Sequence, residues 1–287
     1  MNKIGFNTLV WSAAMPEEIF AVLDRLREIG YDGVECLIGL QDEKAYRRFG
    51  DHAANIGLET TAVFVLGATE NPVNPSAAIR AKALDKIKWA IDCGQAMRAS
   101  IIAGPFHSAH GVFNKNAPTD DEYRWSAEVL HAAGEHAEKA GIVLALEAVN
   151  RFECYLCNTM AQLARLINET AHPHVKAMYD THHANIEEKN VATAINTIAP
   201  VLAHVHISEN DRGTPGDGLV QWKETFATLT SINYTGWLTI EAFSRNDPDF
   251  ANAINVWREY SKPWDIATKG LAFIQQQCAA HKPLASF

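Results

Sequence analysis

The chain has 287 residues, 47% of them hydrophobic, with a formal charge of −9 and a pI near 5.7. That length buries a large core without disulfide or metal staples, and the acidity disfavours nucleic acid and anionic membrane as partners. No apolar run approaches the ~20 residues that cross a bilayer, and five scattered cysteines fit a reduced, cytoplasmic protein better than a disulfide framework.

The opening MNKIGFNTLVWSAAM resembles a weak secretory signal, but Asn7 and Thr8 interrupt its apolar run. It reads better as a strand over 4–9, followed by a helix over 16–29. Strand 33–37 precedes helix 43–56, and strand 59–65 precedes helix 75–97. Pro16 and Pro75 stand where a first helical turn tolerates proline. Strand 100–104 leads to helix 120–140, strand 142–149 to helix 159–170, and strand 175–180 to helix 191–198. Strands 204–208 and 237–243 precede helices 222–230 and 266–279. Several junctions share one form, REIG-YDGVECLIG, ANIG-LETTAVFVLG, EKAG-IVLALEAV and INYTG-WLTIEAF, in which a glycine suits the left-handed residue after a helix. The apolar run that follows suits a strand buried on both faces.

Eightfold strand–helix alternation predicts an α/β fold, a single-domain (β/α)8 TIM barrel over residues 1–287. No Gly-x-Gly-x-x-Gly follows the first strand, which counts against a dinucleotide-binding sheet. The loops 104–116 and 209–218 follow strands, on the face where barrel active sites lie.

Four ionisable residues stand at or near strand ends on that face: Glu147, Asp180, His206 and Glu241, preceded by VLAL, VKAMY, HV and WLTI. A charge there is costly unless paired or metal-bound. The strands offer almost no cation, since Lys176 is the one Lys or Arg in them and lies at the far end from Asp180. Three carboxylates and one imidazole, converging above the barrel axis, suit Mn²⁺, Mg²⁺ or Co²⁺ better than structural zinc.

LEAVNRFE, KAMYDTHHANIEE, HVHISENDRGTPGDG and INYTGWLTIEAF resemble the ketose 3-epimerases, the D-tagatose and D-psicose group among xylose-isomerase-like barrels. The likeness is densest from 145 to 264. It implies metal ligands at Glu147, Asp180, His206 and Glu241, with one divalent ion, Mn²⁺ first, and no organic cofactor. It implies that Glu147 and Glu241 also form the acid/base pair, moving the C3 proton of a ketose through a metal-stabilised cis-enediolate. Glu153, His183 and Arg212 would grip the sugar, with Arg212 and His183 near C1–C2 and Glu153 near O1. A homodimer or homotetramer is implied as well. An aldose–ketose isomerase like hydroxypyruvate isomerase, or an inosose dehydratase-like lyase, fits the same scaffold. An endonuclease IV-type enzyme would need more metal-binding histidines and a basic face.

Among other residues, His107 and His110 in GPFHSAHG are placed to line the pocket. Family members often carry Trp or Tyr just after this His; here Ser108-Ala109-His110 stands instead, leaving the preferred sugar open. Phe6, Trp11 and Phe64 are candidate walls for the sugar's distal end. Glu35 fits a supporting acid near the pocket, and His204, alternating with His206, a barrel-interior histidine. Cys154 and Cys157 lack a second ligand pair for zinc and read as two thiols in the loop after the fifth strand, near the substrate opening.

Overall fold

Short apolar runs pair side by side until the sheet closes. β1 (Lys3–Asn7), β2 (Gly33–Ile38), β3 (Glu59–Phe64), β4 (Ile101–Gly104), β5 (Val143–Glu147), β6 (Val175–Asp180), β7 (Leu202–Ile207) and β8 (Trp237–Ile240) are parallel and in sequence order, β8 returning to β1. The computed structural model describes residues 2–39 and 41–281. The surrounding helices are α1 (Glu18–Ile29), α2 (Glu43–Asn55), α3 (Ala77–Ala96), α4 (Asp120–Ala140), α5 (Met160–Thr170), α6 (Thr181–Glu187), α7 (Val191–Ile198), α8 (Trp222–Ser231), α9 (Pro248–Ala253) and α10 (Pro263–Ala280). None of these is long and apolar enough to cross a membrane. The expected (β/α)8 TIM barrel is the observed fold.

Local chemistry sets the element ends. Thr119 and Thr159 open α4 and α5 with reciprocal capping boxes to Glu122 and Gln162. Gly30 and Gly141 take the left-handed position after α1 and α4, and Gly57 does so just past α2. In the fourth junction Asn233 (φ 55°), not Gly236, has that role. Pro16 and Pro75 precede α1 and α3 by two residues rather than opening them, whereas Pro248 and Pro263 do occupy first turns. β1 stops at Asn7, whose side chain accepts from Leu9 N and starts a 3-10 turn over Thr8–Val10. β8 stops at Ile240, so Glu241 lies one residue beyond it. The sequence reading missed α6 and α9, each too short to show a helical period.

Strand alternation divides the core. One cluster, including Phe6, Phe64, Leu144, Leu146, Tyr179 and Leu238, packs with helical residues such as Leu23, Ile87, Leu130, Leu163 and Ile274. A smaller one brings together Val63, Ile101, Ala103, Ala145, Met178 and Trp237, which alternate with the first set along their strands. Gly33 makes room for Trp237, whose ring would lie 2.5 Å from any Cβ there.

Gly104 ends β4 at φ +130°, and a Cβ would meet the Phe64 carbonyl oxygen at 2.3 Å. Gly104→Ala combines backbone strain with a backbone clash, and we expect it to lower stability by about 3 kcal/mol. Urea unfolding checks this, and a loss below about 0.5 kcal/mol, typical of harmless surface changes, would contradict it.

Candidate active site

Strand register brings the four strand-end residues together. Asp180 pairs with His206 across β6 and β7, Glu147 closes β5, and Glu241 follows the Ile207–Ile240 pair of β7 and β8. One ligand atom from each lies within 4.8 Å of all the others, and all four residues are buried. His206 Nδ1 sits 3.5 Å from both Asp180 Oδ2 and Glu241 Oε1. His206 Nδ1 and Glu147 Oε1 are buried without a hydrogen-bond partner. Leaving such atoms unpaired costs free energy, and an imidazole nitrogen and a carboxylate oxygen aimed at one point are the donors a divalent ion takes.

The other face of His206 is fixed. Its Nε2 lies 2.8 Å from Glu35 Oε1, and Glu35 also accepts from Asn7 Nδ2 and Thr61 Oγ1, each at 2.9 Å. His204 Nε2 lies 2.9 Å from Glu35 Oε2, close enough for an ion pair but off the angle of a hydrogen bond. With Nε2–H directed at Glu35, the Nδ1 lone pair faces the acids, the tautomer a metal ligand needs. Burial would raise the Glu35 pKa, but His206 and His204 hold it well below the usual range. Burial likewise opposes a charge on His206, yet Glu241 and Glu35 raise its pKa well above the ordinary value. Nδ1 is thus a place where the surroundings favour a cation.

The acids do have a protein cation, contrary to the expectation from the strands alone. It comes from the loop after β7. Arg212, at φ 64°, places Nη1 2.8 Å from Glu241 Oε2 and 3.3 Å from Asp180 Oδ2, and Nη2 2.9 Å from His183 Nε2. Phe243 backs it, 4.9 Å from the guanidinium. Burial favours the neutral form of Asp180, but Arg212 and His183 hold its pKa well below the ordinary value. Asp180 also accepts from His182 N at 2.6 Å and His183 N at 3.1 Å, capping α6. Glu147 goes the other way: burial, then Glu241 and Asp180, raise its pKa well above the ordinary value. With all three carboxylates ionised, one guanidinium would leave a formal charge of minus two, the amount one divalent ion neutralises.

The remaining candidates divide. His183 is buried at the start of α6, with Nδ1 3.1 Å from Asn150 N, and burial and Arg212 push its pKa down to about 3. Glu153 accepts from Asn150 Nδ2 at 2.7 Å and lies 3.2 Å from His110 Nε2. Burial opposes its charge, but His110 and His183 hold its pKa far below the usual range. Glu153, His182 and His183 offer atoms within 4.8 Å of one another, so Glu153 joins the acid ring through His183. His107 is buried; its Nε2 lies 2.9 Å from the Glu147 carbonyl oxygen, and burial lowers its pKa to about 4. It braces the Glu147 backbone.

Phe6 is not brought to this cluster. It alternates away from Asn7 and packs on Tyr31 and Trp11, with centroids at 5.3 and 5.2 Å. Phe64 packs on Phe106 and Trp11 on Trp264. Cys154 and Cys157 are buried rather than at an opening, with Cys154 Sγ 3.1 Å from Ser108 Oγ. Asn150 and Glu209, which organise the two loops, escaped the sequence reading because one polar residue in a loop carries no periodic signal.

The model of the xylose isomerase-like TIM barrel family matches residues 23–274. The L-ribulose 3-epimerase of Mesorhizobium japonicum is 30% identical over 96% of this chain and 93% of its own. The D-psicose 3-epimerase of Agrobacterium fabrum is 28% identical over 92% and 93%. The crystal structure of the D-allulose 3-epimerase of Methylomonas sp. in complex with D-allulose superposes with a TM-score of 0.88 at 30% identity, covering 96% of this chain and 97% of that one.

Two predictions follow from this geometry. Glu35→Gln removes the anion that orients His206, so Mn²⁺ affinity measured by isothermal titration should fall on the order of 10- to 100-fold; unchanged affinity would show that His206 needs no such support. Burial raises the pKa of both the Cys154 and Cys157 thiols, so the native protein at pH 8 should leave both unmodified by a thiol-specific disulfide reagent, while denatured protein reacts. Rapid labelling of either thiol in the native protein would contradict its burial.

Proposed function

The chain belongs to the xylose isomerase-like TIM barrel family and, within it, to the ketose 3-epimerases, and from that premise we propose that it epimerises a free ketose at C3 with one divalent ion. The observation that carries the reading is the buried ring of Glu147, Asp180, His206 and Glu241, with two unpaired ligand atoms. Manganese as the ion, and a cytoplasmic homo-oligomer as the enzyme, belong to the same proposal.

The ring would hold the ion through Glu147, Asp180, His206 Nδ1 and Glu241. A divalent ion held there would polarise the ketose carbonyl and make the C3 proton removable. Glu147 ends β5 and Glu241 follows β8, two non-adjacent strands, and on this reading they would approach C3 from different sides. Epimerisation needs that arrangement: one carboxylate removes the proton from one face and the other returns a proton to the opposite face. Asp180, its pKa held low beside Arg212, stays ionised and serves only as ligand. Arg212 carries the fixed positive charge and neutral His183 a polarisable ring at the C1–C2 end, where negative charge develops. Glu153, anchored by Asn150, accepts from the O1 hydroxyl.

Glu147→Gln and Glu241→Gln should each cut solvent-deuterium incorporation at C3 of D-psicose or L-ribulose by at least about a hundredfold, the low end of acid/base contributions, with circular dichroism unchanged. Chelation should abolish exchange and Mn²⁺ restore it. Near-wild-type exchange in both variants, or full turnover in verified metal-free protein, would overturn the reading. Label at C1 or C2 instead would indicate aldose–ketose isomerisation.

A further inference from the structure

We propose that Glu209 is a positioning residue that sets the guanidinium of Arg212 against the acid ring; the proposal rests on the functional reading above. Glu209 is fully buried, yet its carboxylate forms no hydrogen bond or ion pair with the ring or with any Lys or Arg side chain among the described residues. Its carboxylate is neutralised by N–H dipoles: Oε1 accepts from Asn210 N at 3.0 Å and Val220 N at 3.2 Å, and Oε2 from Gly216 N at 2.8 Å and Trp222 Nε1 at 3.0 Å. Four donors drawn from 210 to 222 close that loop on its own root. Gly218 passes so near that a Cβ would lie 2.5 Å from Glu209 Oε1.

Arg212 lies inside this closed loop. Its N–H donates to the Glu209 carbonyl at 3.0 Å, and its own carbonyl accepts from Phe243 N at 2.9 Å. Those two bonds hold it in a left-handed conformation that a non-glycine residue adopts at a cost. The guanidinium then reaches Asp180, Glu241 and His183 at once. An acid buried solely to fold a surface loop would be an expensive device. Here it fixes the only protein cation that contacts two of the four ring residues among those described.

The test is a double-mutant cycle between Glu209→Gln and Arg212→Gln. In glutamine one acceptor becomes an NH₂ donor facing two N–H donors, so two of the four bonds are lost whichever way the amide turns. If Glu209 acts through Arg212, Glu209→Gln lowers kcat/KM for D-psicose roughly 30-fold in the wild-type background but less than about twofold when Arg212 is already Gln. Mn²⁺ affinity gives a readout independent of turnover. The Arg212 charge opposes a dication on Asp180 and Glu241, so Arg212→Gln should tighten Mn²⁺ binding; Glu209→Gln should shift it the same way and add nothing in the double mutant. Should Glu209→Gln fail to fold, Trp222→Phe removes one donor and carries the same cycle at smaller amplitude. Equal costs in both backgrounds, or lowered thermal stability with unchanged kcat/KM and Mn²⁺ affinity, overturn the positioning role while wild-type activity keeps the functional reading. A wild-type protein that neither exchanges the C3 proton nor binds Mn²⁺ removes both.

Discussion

The mouth of the barrel gathers more buried negative charge than an apolar scaffold can hold unaided. Glu35, Glu147, Asp180, Glu209 and Glu241 are all buried there, and an unpaired carboxylate in such surroundings is among the costliest things a fold can contain. Each is dealt with differently. Glu35 lies against two imidazoles and accepts from Asn7 and Thr61. Glu209 is surrounded by N–H dipoles. Asp180 and Glu241 share Arg212 and His206, Glu147 lies 3.5 Å from His183, and with all three ionised the ring would be short of neutral. The groups already compensated are structural, whereas the deficit sits in the ring, where a divalent ion would supply the missing charge.

The scaffold divides the labour accordingly. Strand register, which cannot slip by one residue without turning every side chain to the other face, places Asp180 beside His206 and ends β5 on Glu147. Such positions tolerate little error, which suits ligands that must converge within a few ångströms. Arg212, by contrast, is set by a loop, and its backbone needs outside support because the left-handed conformation is not one arginine favours. The chemistry therefore depends on a rigid part that folds with the barrel and a second part held by hydrogen bonds within one loop.

This division also explains what was legible in the sequence. All eight strands and the four convergent residues could be read, because apolar runs ending in an acid or histidine carry both a period and a break in it. Their pairings could not: Glu35 reads only as a supporting acid near the pocket, and Arg212 enters through the family resemblance and as a sugar contact, not as the acids' cation. Arg212 lies thirty-two residues after Asp180 and twenty-nine before Glu241, in a loop without periodicity. Asp180 doubles as the cap of α6, a seven-residue helix that reads as loop. Phe6 failed as a pocket wall for a reason already present in the pattern: with Asn7 turned inward to Glu35, period-two alternation sends Phe6 outward, against Tyr31.

The side that carries Glu153 is built as a separate braced unit. Ala109 N donates to Asn71 Oδ1 at 3.1 Å, His110 N to the Leu66 carbonyl at 2.9 Å, and Gly111 N to the Glu153 carbonyl at 2.8 Å. The loops after β3, β4 and β5 are thus tied together, and the side chains of His110 and Asn150 fix the Glu153 carboxylate from two sides. Ser108 is small enough to tuck against Cys154, and His110 stands beside Glu153. The unit meets the acid ring at His183, which contacts Asn150 on one nitrogen and Arg212 on the other. Changes at 108–110 would therefore act on Glu153 and its bracing before they reach the ring, so this loop can vary while the strand-end cluster stays fixed.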